Sequence, residues 1–77
     1  MSSNNILEQA KQYILDNLQT NGADKSLVVY SRRTGSEFTI AQQYPAYDGW
    51  FVYQGCELIV GDVTFDYAVQ VLLDATT

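Results

Sequence analysis

Apolar residues recur along the first quarter of the chain with the spacing of a helix and then switch to the alternation of strands. Leu7, Ala10, Ile14 and Leu18 fall at i, i+3, i+7 and i+11, with Ile6 and Tyr13 widening the stripe. Glu8, Lys11, Gln12, Asp16 and Gln19 occupy the remaining positions, so one face is built for burial. Asn5-Ile6-Leu7-Glu8 has the spacing of a capping box, and Asn21-Gly22 offers residues that tolerate the left-handed conformation at a helix C-terminus. A helix is therefore expected from about Ile6 to Thr20, with residues 1–4 as a flexible start.

Beyond Gly22 the period shortens to two. Leu27-Val28-Val29-Tyr30 is β-branched and aromatic, and Phe38-Thr39-Ile40-Ala41 follows a polar turn in which Gly35 is suited to a positive φ. In the second of these strands Phe38 and Ile40 face inward, and Glu37 and Thr39 face outward. Gln42 to Gly49 reads as the longest connection, with Pro45 interrupting any strand there. Trp50-Phe51-Val52-Tyr53 resumes a strand, Gln54-Gly55 reads as a tight turn, and Cys56 to Val60 forms a short further strand. Asp62 or Thr64 then caps a last helix whose core positions are Ala68, Val69, Val71, Leu72 and Leu73.

The expected architecture is α+β, in the order α-β-β-β-(β)-α: an antiparallel meander of three or four strands with two helices packed on one face. Seventy-seven residues accommodate one domain and one core. A lone Cys56 forms no internal disulfide, and with no histidine and one thiol a structural zinc site is not expected, so apolar packing must supply the stability. Cys56 itself reads as a small buried strand residue. No secretory or membrane-spanning pattern occurs, and a free thiol suits a reducing compartment; a cytoplasmic location is expected.

Charge narrows the partners. The net charge is −5, and it is unevenly placed: Lys11, Lys25, Arg32 and Arg33 leave residues 1–33 slightly basic, whereas residues 34–77 carry Glu37, Asp48, Glu57, Asp62, Asp66 and Asp74 and no base. The order α-β-β-β-α resembles that of the double-stranded RNA-binding domain. That resemblance implies a basic start to the second helix, where this chain has Gly61-Asp62-Val63-Thr64-Phe65-Asp66. Backbone phosphates need lysine and arginine, so direct nucleic-acid binding is not expected.

Catalysis is not expected either. Histidine is missing, Cys56 has no imidazole to activate it, and the glycines stand singly at turns rather than in a phosphate-binding loop. No cofactor or metal is anticipated, because the acids lack the alternating pattern of a calcium loop. What remains is an aromatic segment, Tyr44-Pro45-Ala46-Tyr47-Asp48-Gly49-Trp50, of the residue types that anchor protein interfaces. The same rings could instead cover the core. Two helices cover only one side of a sheet, so some large residues must lie on the other side: Val28 and Tyr30, together with either Phe51 and Tyr53 or Trp50 and Val52.

The sequence thus points to a non-enzymatic protein-binding module. Its expected contact residues are Tyr44, Tyr47, Asp48, Trp50, Glu57, Asp62 and Asp66, presented to a protein with a basic surface. Inhibition by masking a nucleic-acid-binding surface, in the manner of small phage-encoded inhibitors such as anti-CRISPR proteins, is the concrete version; it is an analogy of class, carried by no motif. The alternative is a homodimer closed through the open sheet face.

Overall fold

The computed structural model describes residues 3–44 and 47–76. Its order is α1 (Ser3–Asn17), β1 (Gln19–Asn21), β2 (Asp24–Ser31), β3 (Ser36–Gln42), β4 (Trp50–Gln54), β5 (Glu57–Val63) and α2 (Phe65–Thr76). The five strands form one antiparallel sheet in sequential order, β1-β2-β3-β4-β5. Short connections between neighbours enforce that meander. The α+β class and the two terminal helices match expectation, and the strand count rises to five.

The additional strand comes from a misread turn. Helix α1 ends at Asn17, three residues before the expected Thr20, and Gln19–Asn21 pairs with Asp24–Ser26 instead. Asn21-Gly22 is thus a hairpin signal rather than a helix cap: Gly22 takes φ 67 in the two-residue turn that links β1 to β2. At its other end α1 begins at Ser3, three residues before the expected Ile6; Met1 and Ser2 lie outside the described residues. The reading of Pro45 as a strand breaker also concerns a residue outside them.

Alternation along the strands sorts side chains between the two faces. Leu27 and Val29 of β2, Phe38 and Ile40 of β3, Trp50 and Val52 of β4, and Val60 and Val63 of β5 point one way, in register Leu27↔Ile40↔Val52↔Val60. Ile14 of α1 and Ala68, Val69 and Leu72 of α2 close over them, so both helices share that face. Helix α2 lies against β3, β4 and β5, whereas α1 rests chiefly on α2. Phe38, Ile40, Val52 and Val69 are fully buried, and burial of such side chains contributes about 1.5–3 kcal/mol each.

Local chemistry fixes the ends of these elements. Thr64 caps α2: its hydroxyl accepts from the Tyr67 N–H at 3.2 Å and its carbonyl accepts from the Ala68 N–H at 2.9 Å. Of the two expected caps, Asp62 is therefore not the one used. Lys11 bridges the helices, with its ammonium 2.9 Å from Asp66 and 3.2 Å from Glu8. Between β2 and β3 the four-residue turn closes with the Gly35 N–H donating to the Ser31 carbonyl at 2.8 Å, as the expected positive φ at Gly35 allows.

Candidate protein-docking surface

The pleat that buries Trp50 and Val52 turns Phe51 and Tyr53 to the opposite face, which no element covers among the described residues. Register places that face in rows. Val28, Thr39, Tyr53 and Leu58 run side by side across four strands; Ser26, Ala41 and Phe51 form the next row; Tyr30 lies beside Glu37 at the far end. Val28, Tyr30 and Leu58 are each more than half exposed. Phe51 and Tyr53 stack at 6.5 Å with rings 19° from parallel, and Ala41 beside Phe51 is buried although it lies outside the helix-covered core. The outcome is an apolar centre without a layer over it, one of the two alternatives the alternation left open.

Phe51 is seated by the absence of a side chain opposite. A Cβ on Gly61 would lie 3.0 Å from the Phe51 ring, so glycine lets the ring pack down onto β5 without being displaced. The Tyr53 hydroxyl accepts a 2.7 Å hydrogen bond from the Gln43 side chain, which satisfies the polar end of a half-buried ring. Both rings are thereby held in place by packing and a hydrogen bond, and a pre-positioned ring loses little entropy on contact.

The loop after β3 borders this face. Its backbone is tied to the β1–β2 turn through Asp24, whose carboxylate accepts from the Tyr44 N–H at 3.2 Å. Tyr44 and Tyr47 meet edge to face at 6.3 Å, and both are exposed. Partial desolvation and a side-chain hydrogen bond to Asp24 raise the Tyr47 phenol above its ordinary value of 10.0, so the hydroxyl stays neutral and donating in the physiological range.

The seven residues expected to form the contact are dispersed. Tyr44, Tyr47 and Asp48 lie together in the exposed loop, and Asp62 packs against Gly49 at the same end of the sheet. Asp62 there holds φ 58 at an irregularity in the β4–β5 pairing, a left-handed conformation that aspartate tolerates better than most residues. Glu57 sits at the opposite end, beside the β4–β5 turn. Asp66 is on α2 and engaged by Lys11. Trp50 must be withdrawn: it is 8% exposed, stacked at 4.6 Å on Phe65, and part of the core, because its position in β4 points it at the helices. Cys56 is corrected in the other direction. It occupies the exposed turn after Gly55, where no strand pairing buries it.

Glu37, Val28, Tyr30, Phe51, Tyr53 and Leu58 are the better-placed set; the alternation of β2, β3 and β4 signals all but Leu58, which the irregular β4–β5 pairing places beside Tyr53. Their face carries carboxylates at Asp24 and Glu37 and no lysine or arginine. The bases lie elsewhere: Lys11 is paired between the helices, Arg33 donates to the Ala75 carbonyl at the end of α2, Arg32 is at the hairpin tip, and Lys25 alternates to the other side of β2. Among the described residues no three acidic or cysteine side chains converge to hold a metal ion, and no helix is long and apolar enough to cross a membrane. Scanning against protein-family models finds no match, and neither the curated proteins nor the solved structures searched yield one.

Proposed function

We propose that this chain is a non-enzymatic protein-binding module whose uncovered sheet face docks onto a basic partner surface. One observation carries the reading: an apolar centre of Val28, Phe51, Tyr53 and Leu58 lies open, edged by carboxylates and free of any base. Exposed apolar surface of this kind favours association, and the sign of its edge selects the partner. Aromatic rings at the centre would supply affinity, whereas Asp24, Glu37, Asp48 and Asp62 would steer encounter and choose lysine- and arginine-rich targets. Masking a surface that otherwise holds nucleic-acid phosphates is the form of inhibition this chemistry suits, and a cytoplasmic setting is consistent with the free thiol.

Closure of the same face on a second copy is the competing reading. It buries the same rings but opposes like carboxylates across a two-fold axis with no base to answer them. The weight therefore falls on a foreign partner. Affinity capture from native cell extract, with the wild type beside a Val28→Ser/Phe51→Ser/Tyr53→Ser variant, tests the proposal. A basic protein retained by the wild type, lost with the variant and released steeply by salt is the expected result. Equal capture by both proteins, or a tight homodimer in light scattering, would defeat it.

A further inference from the structure

The sheet has two outer edges, and they are protected very differently. Strand β5 forms one edge, and it carries a pairing irregularity, a left-handed Asp62, and the charges of Glu57 and Asp62. Such bends and charges prevent another strand from pairing there. The other edge is β2, and only its first three residues are covered: β1 pairs with Asp24, Lys25 and Ser26 and then stops. From Leu27 to Ser31 the outer side of β2 has no strand beside it among the described residues, although its inner side pairs without interruption with β3. Those five residues, Leu27-Val28-Val29-Tyr30-Ser31, contain no charge, proline or bulge.

A second observation falls at the same place. Between α1 and α2 runs an apolar groove of about 330 Å³ that reaches Val29 of β2, with Ile6, Ala10 and Tyr13 on one wall and Leu72 and Leu73 on the other. Ile6 and Tyr13 are about 60% exposed, at 59% and 60%, although the periodicity of α1 suggested burial. They are left open because α1 rests on α2 more than on the sheet.

From this conjunction we propose that an extended segment of another protein adds to the sheet along Leu27–Ser31. Free main-chain donors and acceptors on an edge call for a strand, and an apolar groove alongside receives every second side chain of that strand. The occupant is uncharged over this stretch, with aliphatic residues at alternate positions, since the edge and groove walls offer no charge to pair. It continues the line that β1 begins and abandons at Ser26. A second copy is the less suitable occupant: the helix-side residues of its β2, Leu27 and Val29, already pack against its own core and are not free to enter the groove. The edge shares Val28 and Tyr30 with the docking face, but its contacts are the main chain of β2 and the groove on the helix side, which do not involve Phe51, Tyr53 or Leu58.

The probe is the peptide acetyl-Gln-Val-Thr-Val-Thr-Val-Gln-amide, titrated into the whole protein and followed by amide NMR shifts and hydrogen exchange. Saturable shifts confined to Leu27–Ser31 and the walls of the groove are expected, with slowed exchange at the outward amides of β2. N-methylation of alternate peptide amides should weaken binding at least tenfold, as should the double substitution Ile6→Lys/Tyr13→Lys, which alters exposed positions and leaves the core intact. The variant Phe51→Ser/Tyr53→Ser should bind the peptide unchanged, which separates this site from the docking face. Equal affinity of the N-methylated peptide, unchanged exchange along Leu27–Ser31, or shifts centred on Phe51, Tyr53 and Leu58 would overturn the proposal. Concentration-dependent protection of the same amides without peptide would overturn it too, by assigning the edge to a second copy.

Discussion

Trp50 and Phe51 are neighbours on one strand, yet they belong to different chemical worlds. Trp50 lies under α2 against Phe65, at 8% exposure, while Phe51 lies on the far face, half-buried against Tyr53 and Gly61. The difference is a pleat of one residue, and it separates stability from recognition. Residues beneath the helices are held by contacts on all sides; residues on the other face have a floor and no roof. A small domain that leaves rings so large without a roof gives up apolar burial it could use, which is what makes the open face informative about partners.

The sharpest way to break that contrast is to truncate both faces. Val52→Ala and Ile40→Ala, in the helix-covered core, should each destabilise the fold by about 2–4 kcal/mol, whereas Phe51→Ala should lose only about 1 kcal/mol. Urea unfolding followed by circular dichroism measures both, and equal losses would erase the distinction between the faces. Next in size is Gly49→Ala, expected to destabilise by about 2 kcal/mol. A Cβ there would lie 2.9 Å from the Asp62 Cα and closer still to the Asp62 carboxylate, so backbone must shift where β4 meets β5. Thr64→Ala removes the cap of α2 and should reduce stability by about 1 kcal/mol, with Thr64→Ser restoring most of it.

The smallest effect is a pH dependence in the alkaline range. Hydrogen bonds to Asp66 and then Glu8 raise the Lys11 ammonium above its ordinary 10.5, and Tyr47 is raised above 10.0. A raised value in the folded state means stability that is fully present below the unfolded value and lost as pH rises through the folded one. Melting temperature should therefore fall beyond the other alkaline losses above about pH 10, and Lys11→Met should flatten that part of the profile. An unchanged profile would show that the bridge between the helices is too solvated to matter.

Much of the architecture was legible in the sequence because it is written in short-range periods. The i, i+3, i+7 spacing of Leu7, Ala10 and Ile14 announces α1, and Phe38 and Ile40 alternate with Glu37 and Thr39 as β3 requires. Three features resisted. Asn21-Gly22 serves helix ends and hairpins equally well, so the local sequence does not separate β1 from a last turn of α1. Aromatic character around Trp50 suggested an exposed anchor, but composition does not state which way the pleat faces. Residue type alone does not distinguish a free acid from a paired one, and Asp66 is engaged by Lys11 across the helix layer.

What the chain determines alone is the division of β2, β3 and β4 into two sets of side chains, since covalent geometry makes alternate residues point opposite ways; in β5 the pairing irregularities break that alternation. Which set is covered was decided by tertiary structure, when α1 and α2 both settled on the Trp50 and Val52 side. Strand pairing likewise left Leu27–Ser31 joined to β3 on one side only among the described residues, because β1 stops opposite Ser26. Burial and strand pairing depend on contacts between distant segments, and the local sequence of any one segment carries no record of them.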